Sequence, residues 1–206
     1  MTPNNTGGGS FMLDFVVQMV GSRPVEIAAV VCGLLNVGLI IRRSIWNYPF
    51  GFAVVTLYAF IFYEYRLYSD ALLQVYFFVI QIYGLWNWLA HRQEDGRVVV
   101  ERLTSRETML YGGLTLAGWV VLSSLMHRFT DASFPWWDGA IAALSVLAQY
   151  LLSRRKLENW VLWIAVDVLA IGLFWVKGLQ PTAALYVVFL CLAITGLLQW
   201  RRAARG

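Results

Sequence analysis

The sequence predicts an all-α membrane protein with seven transmembrane helices. Hydrophobic residues make up 59% of the chain and charged residues 14%, whereas charged residues reach about 25% in soluble domains. Apolar runs close to the ~20 residues that span a bilayer recur along the chain. Three of these runs return later in the sequence, shifted by 112 residues without a gap. Together these observations predict a polytopic bundle built on an internal repeat.

The chain divides into a short N-terminal segment and one transmembrane domain. Residues 1–24 begin polar and glycine-rich and continue into an apolar stretch too short to cross a membrane, so we expect a disordered tail and an interfacial segment. Residues 25–206 form the transmembrane domain, and Pro24 before it suits a first helical turn. The predicted spans are residues 25–41, 47–63, 71–90, 108–126, 134–152, 159–176 and 182–200.

The distribution of basic residues predicts the orientation of the bundle. Seven spans place the two termini on opposite sides of the membrane. Twelve basic residues share the side of the C-terminus: Arg42, Arg43, Arg92, Arg97, Arg102, Arg106, Arg154, Arg155, Lys156, Arg201, Arg202 and Arg205. The other side has four: Arg23, Arg66, Arg128 and Lys177. By the positive-inside rule, the C-terminus is cytoplasmic and the N-terminus lies outside.

The repeat organises the domain as 3+1+3 spans. A shift of 112 residues places Asn47 on Asn159 and the pair Arg42-Arg43 on Arg154-Arg155, and Gly84 and Trp88 on Gly196 and Trp200. Repeat one covers residues 25–90 and repeat two residues 134–200, and the linker helix at 108–126 returns the chain so that both repeats point the same way. Parallel repeats of this kind occur in transporters whose substrate site lies between the halves.

The stretch from Glu158 to Asp167 carries the strongest functional signal. Trp160, Trp163 and Asp167 are spaced i, i+3 and i+7, so they share one face of a helix. A carboxylate inside a membrane helix costs roughly 3 kcal/mol or more unless it faces a cavity or a partner. Two indoles beside it offer flat π surfaces that attract a planar cation. The alternative is that both tryptophans pack against neighbouring helices and Asp167 hydrogen-bonds to one of them.

Further polar groups in the first repeat complete the candidate site. Gln74 and Gln81 lie seven residues apart on one face of the third span, with Tyr76 on a neighbouring face. Asn36 lies inside the first span and Asn47 opens the second. Buried amides and phenols need hydrogen-bond partners, which a ribose-like polyol supplies. The alternative is that the glutamines bridge helices within the bundle.

The sequence indicates neither an enzyme nor a nucleic-acid-binding protein. It holds no H-E-x-x-H motif, no phosphate-binding glycine loop and no paired cysteine and histidine, so we expect no metal and no cofactor. The basic residues are scattered at helix ends rather than clustered, which excludes a nucleic-acid surface. Four tryptophans near the predicted interfaces are expected to be aromatic-belt anchors: Trp46, Trp136, Trp137 and Trp200.

Two motifs resemble those of the Pnu-type vitamin transporters. Trp160 to Asp167 reads W-x-x-W-x-x-x-D, similar to the W-x-x-W-x-x-x-[N/D] signature of that family. Gln74 to Trp88 is similar to the family's Q-x-x-Y-x6-G-x-x-x-W, with Phe77 where tyrosine is usual. The resemblance extends from about Val25 to Trp200.

The resemblance implies a bacterial inner-membrane carrier of nicotinamide riboside. It further implies homotrimers of seven-helix protomers with a SWEET-like architecture, and facilitated diffusion with the substrate trapped by cytoplasmic phosphorylation. Trp160 and Trp163 would stack on the cationic pyridinium ring, Asp167 would offset its charge or accept from a hydroxyl, and Gln74 and Gln81 would bind polar groups. Relatives carry thiamine, which is also flat and cationic. Proton-coupled uptake through Asp167 is the rival mechanism.

Overall fold

The computed structural model describes residues 24–64, 68–130 and 133–205. The predicted tail and interfacial segment lie outside these ranges, apart from Pro24. The described residues form seven α-helices: α1 Pro24–Ile41, α2 Asn47–Glu64, α3 Tyr68–Ala90, α4 Ser105–Phe129, α5 Pro135–Ser153, α6 Asn159–Val176 and α7 Gln180–Ala203. Each predicted span overlaps one of these helices, which confirms the all-helical class and, over the described residues, the number of seven helices.

Five of the seven helices, α1, α3, α4, α6 and α7, are long and apolar enough to cross a bilayer. The remaining two, α2 and α5, are 18 and 19 residues long and do not reach the same apolarity over an 18-residue stretch. Helix α4 begins three residues earlier than predicted because of a capping box. Thr104 accepts a hydrogen bond from the backbone of Glu107, and the Glu107 carboxylate accepts one from the backbone of Thr104.

Six helices form a closed ring. Contacts run from α1 to α2 and on to α3, cross from α3 to α5, continue through α6 to α7, and return from α7 to α1. Helix α4 lies outside the ring and, among the described helices, packs only against α5. The ring encloses a cavity, described below.

Two buried tryptophans hold the crossings of the ring. Trp88 on α3 donates from its indole Nε1 to the carbonyl oxygen of Leu152 on α5, at 3.1 Å. Trp200 on α7 donates in the same way to Ile40 on α1, at 3.0 Å. Both rings are fully buried, so the expectation that Trp200 is an interfacial anchor is wrong. A ring nitrogen that satisfies a carbonyl near the end of a neighbouring helix fixes how the two helices cross.

Trp137 also differs from the expected interfacial anchor. Its Nε1 donates to the carbonyl of Leu169 on α6 at 2.9 Å, and its ring fills the space beside Gly172, where a Cβ would come within 2.8 Å of the indole. The residue therefore joins α5 to α6. Trp46 and Trp136, by contrast, are exposed.

The linker between α3 and α4, residues 91–104, joins the loops that precede α2 and α6. The backbone of Val98 donates to Arg43 at 3.2 Å. Further along, Glu101 donates to Arg155 at 3.0 Å and accepts from Leu157 at 2.8 Å. The carboxylate of Glu101 also pairs with the buried Arg155 and Lys156, at 2.7 and 3.2 Å. The two loops and the linker thus lie together at one end of the helix ring.

Candidate functional site

The helix ring encloses a cavity of about 270 Å³. Its wall comes from α1, α2, α3, α5, α6 and α7. Eight of the nine residues predicted for the site line it: Asn36, Asn47, Gln74, Phe77, Gln81, Trp160, Trp163 and Asp167. The structure thus brings together residues from four helices that lie up to 131 positions apart in the sequence.

The start of α6 is fixed by the turn before it. Arg155 has a left-handed backbone, with φ 58°, which is uncommon outside glycine. The side-chain amide of Asn159 donates to the carbonyl of Lys156 at 2.6 Å. Arg43 and Asn47 repeat this arrangement before α2, with φ 59° and a bond of 2.6 Å to Ser44. Each turn ends one helix and sets the rotation of the next, which determines the residues that face the cavity.

Trp160 lies at the floor of the cavity and is 2% exposed. Its ring packs edge-on against Trp200, with centroids 5.7 Å apart. It also lies so close to Gly196 that a Cβ there would come within 2.6 Å of three ring atoms. Among the described residues, no acceptor pairs with its buried Nε1. The residue is therefore a packing element of the helix ring that also presents an unused donor.

Asp167 lies two turns further along α6 and is 4% exposed. Within the described ranges, no side chain donates a hydrogen bond to its carboxylate or forms an ion pair with it. The equivalent position in the first half is the apolar Val55, which also lines the cavity. A buried carboxylate without a protein partner is costly inside a membrane helix, so it suits a ligand that brings a cation or a hydroxyl.

Two amides converge on the opposite wall, beside Gly51. The Nδ2 of Asn36 donates to the carbonyl of Asn47 at 2.8 Å, and the Nε2 of Gln81 lies 3.5 Å from the carbonyl of Gly51. The Gln81 contact is at the limit of a hydrogen bond, so this amide is available to a ligand. A Cβ at Gly51 would overlap both amides, which explains the glycine.

Tyr76 does not line the cavity and corrects the sequence expectation. Its hydroxyl donates to the carbonyl of Val146 on α5 at 3.1 Å, so the side chain joins α3 to α5. The reason lies in the helix period. Tyr76 is two positions from Gln74, about 200° around the helix, so it lies on the opposite side of α3 rather than on a neighbouring face.

Several lining residues were not predicted from the sequence. Gln149 and Ser153 enter from α5, and Tyr186 and Phe189 from α7. The repeat held the signal for the last two, because Tyr186 and Phe189 follow Gln74 and Phe77 by 112 residues. Gln149 corresponds to the apolar Val37, so no such signal marked it.

Helices that are mostly long and apolar enough to cross a bilayer surround a cavity lined with indoles, amides and an unpaired carboxylate. This architecture suits a membrane transporter of a small molecule. The nicotinamide mononucleotide transporter family matches residues 23–202. The chain belongs to this family.

Individual relatives agree with that assignment. The chain is 28% identical to the nicotinamide riboside transporter PnuC of Escherichia coli (strain K12), over 88% of this chain and 86% of the relative. It is 31% identical to the protein of the same name from Neisseria mucosa, over 86% and 72%. The riboflavin/roseoflavin transporter RibM of Streptomyces davaonensis is 27% identical over 82% and 81%. The crystal structure of the vitamin B3 transporter PnuC superposes with a TM-score of 0.75 and 28% identity, covering 100% of this chain and 94% of the other.

Proposed function

We propose that the chain carries nicotinamide riboside across the bacterial inner membrane by facilitated diffusion, with the substrate trapped by cytoplasmic phosphorylation. The observation that carries the proposal is the composition of the cavity. It combines two indoles, a buried carboxylate without a protein partner and a group of amides within one enclosed space. Two of the relatives above are named for the same substrate.

Each part of this substrate has a complementary group in the cavity. The pyridinium is flat and cationic, and Trp163 offers it an indole face. Asp167 accepts from a ribose hydroxyl or offsets the ring charge. Gln81 and Asn36 bring both donors and acceptors to the opposite wall, where they suit the carboxamide or the remaining hydroxyls. Gln74 and Asn47 add polar groups at the same wall.

The size of the cavity favours a small ligand. Its volume of about 270 Å³ lies just below the ~300–1,000 Å³ typical of ligand pockets. A nucleoside with a single aromatic ring suits this space better than a flavin, which has three fused rings and a ribityl chain. One relative is nevertheless named as a riboflavin/roseoflavin transporter. Thiamine, another cationic vitamin, is the alternative that the charge and the aromatic groups leave open.

The lining residues support the parallel 3+1+3 repeat and the SWEET-like architecture that goes with it. Nine pairs of cavity residues are separated by 112 positions: Val37/Gln149, Ile40/Leu152, Asn47/Asn159, Tyr48/Trp160, Gly51/Trp163, Val55/Asp167, Gln74/Tyr186, Phe77/Phe189 and Gln81/Ala193. The hydrogen bonds of Trp88 and Trp200 obey the same shift. A site on the axis between two repeats is expected when each contributes equivalent positions.

We place the C-terminus in the cytoplasm and the N-terminus outside, because the basic residues are concentrated at the C-terminal side. A test uses single cysteines at positions 44, 156 and 69 in intact cells. We expect a membrane-impermeant thiol reagent to label only position 69 from outside, and positions 44 and 156 only after the membrane is opened. Labelling of 44 and 156 from opposite faces would contradict the parallel repeat.

We also propose a homotrimer, supported by the resemblance to trimeric carriers and by the position of α4 outside the ring. This helix exposes a long row of apolar side chains, among them Leu110, Leu114, Val121 and Leu125. Native mass spectrometry of the purified protein tests the trimer, and a monomer in several mild detergents would contradict it.

The central experiment is counterflow into proteoliposomes with a panel of labelled vitamins. We expect exchange of nicotinamide riboside, weak exchange of thiamine and none of riboflavin, in vesicles without a proton or sodium gradient. Uptake that requires an imposed proton gradient would replace facilitated diffusion by proton coupling, with Asp167 as the carrier. Exchange of thiamine or riboflavin alone would overturn the proposed substrate.

A further inference from the structure

A second cavity, of about 670 Å³, opens at the end of the helix ring where the linker 91–104 meets α1 and α7. Five arginines line it, Arg42, Arg43, Arg92, Arg97 and Arg202, and the only carboxylate among its lining residues is that of Asp95. The exposed indole of Trp46 lies at its rim. This basic pocket is separate from the cavity inside the ring and plays no part in the proposed binding of the vitamin.

The positive charge of the basic pocket is not neutralised by the described protein. Asp95 approaches Arg97 at 3.8 Å, and both side chains are more than half exposed. Within the described ranges, Arg42, Arg43, Arg92 and Arg202 form no ion pair. Burial and the nearby charge of Arg97 both lower the pKa of Arg43, while Asp95 opposes them. The arginines therefore repel one another and attract an anion.

The equivalent loop of the second half has what the basic pocket lacks. Arg155 and Lys156 follow Arg43 and Ser44 by 112 residues, and both pair with the carboxylate of Glu101. Glu107 adds a second carboxylate 3.7 Å from Lys156. The turn before α6 is thus paired with carboxylates of the protein, whereas the turn before α2 forms no such ion pair among the described residues.

We propose that the basic pocket binds the phosphate headgroup of an anionic phospholipid. Exposed apolar side chains lead away from it along the outer faces of the helices: Val31 and Leu35 on α1, and Ile194 and Leu198 on α7. Ile194 and Leu198 precede Arg202 at intervals of four residues, so all three share one face. This face offers a surface for acyl chains directly beside the arginines, which a free phosphate does not need. An exposed tryptophan at the rim is typical of the headgroup level of a membrane.

The test compares two double variants of the full chain with the same change in charge. Arg97→Gln with Arg202→Gln alters the basic pocket, whereas Arg102→Gln with Arg201→Gln removes two arginines that do not line it. Native mass spectrometry measures retention of added phosphatidylglycerol against phosphatidylcholine, and thermal unfolding reports whether each variant is folded. An arginine that lies beside the lipid headgroup contributes about a fivefold gain in affinity, so loss of two arginines that line the pocket should weaken binding of phosphatidylglycerol about twenty-five-fold. The control variant should bind as the wild type does.

Two results would overturn the proposal. One is equal retention of phosphatidylglycerol by the two folded double variants. The other is displacement of the lipid by inorganic phosphate or glycerol phosphate at matched concentration, because the site would then bind free phosphate rather than a lipid.

Discussion

Gly51→Ala tests whether the amides on the wall of the cavity bind the substrate. A Cβ at this position would overlap the Oε1 of Gln81 and lie 2.8 Å from the Nδ2 of Asn36. Both amides must move by several tenths of an ångström or more, and the 2.8 Å bond from Asn36 to Asn47 is strained or lost. A hydrogen bond contributes about 1 kcal/mol net, so two misplaced amides should cost about 2 kcal/mol of binding, or roughly a thirtyfold rise in Kd.

The effect on folding should be small. Both amides are the ends of flexible side chains, and alanine is favoured over glycine in a helix by up to about 1 kcal/mol. Gly38→Ala on α1 is the matched control, because no heavy atom lies within 4 Å of its added Cβ. Titration calorimetry with nicotinamide riboside gives Kd for both variants, and thermal unfolding gives their stability. Wild-type affinity in folded Gly51→Ala, or an equal loss in both variants, would refute the role of the amides.

Three further predictions concern the indole of Trp163, the carboxylate of Asp167 and the ion pairs of Glu101. Trp163→Ala should weaken binding of nicotinamide riboside tenfold or more, since stacking on a desolvated cation contributes about 1–2 kcal/mol. A wild-type Kd in calorimetry would exclude stacking on Trp163. Asp167→Asn keeps shape and an acceptor, so we expect near wild-type binding of both the riboside and its neutral reduced analogue, and selective loss of the cation would instead assign a charge role. Burial opposes ionisation of Glu101, but its hydrogen bond from Lys156 and the charge of Arg155 hold the pKa of this carboxyl below the ordinary 4.5. The ionised carboxylate therefore stabilises the fold above pH 4.5, and this contribution is lost as the pH falls through the lowered pKa. Glu101→Gln should therefore lower stability at pH 7 by about 1–3 kcal/mol, discounted because the carboxylate is 40% exposed, whereas Asp95→Asn, at an exposed pair, should change it by less than about 0.5 kcal/mol.

The sequence was sufficient for the helices and for most of the cavity because membrane proteins obey strong local rules. An apolar run of sufficient length has to be a helix, and a carboxylate within it has to face something other than lipid. What the sequence could not give was the rotation of each helix against its neighbours. Trp200 was expected at the membrane surface from its place near the end of a span, yet its Nε1 reaches across to Ile40. That bond joins residues 160 positions apart, and no local pattern encodes it.

The repeat explains both the predictable and the unpredictable parts of the site. At two pairs of equivalent positions the first half has Gly51 and Gln81, and the second has Trp163 and Ala193. In the first half the small residue is on α2 and the large one on α3. In the second half the large residue is on α6 and the small one on α7, so each half contributes one large side chain to the cavity wall. The arrangement of the helices is the same in both halves, but the side chains differ. One wall of the cavity presents the amide of Gln81 and the other the indole of Trp163. The proposed substrate has a polar end and a flat cationic end, and two identical halves would not offer a different group to each end. We therefore expect selectivity to depend on cavity positions where the halves diverge, foremost Gly51/Trp163, Val55/Asp167 and Gln81/Ala193.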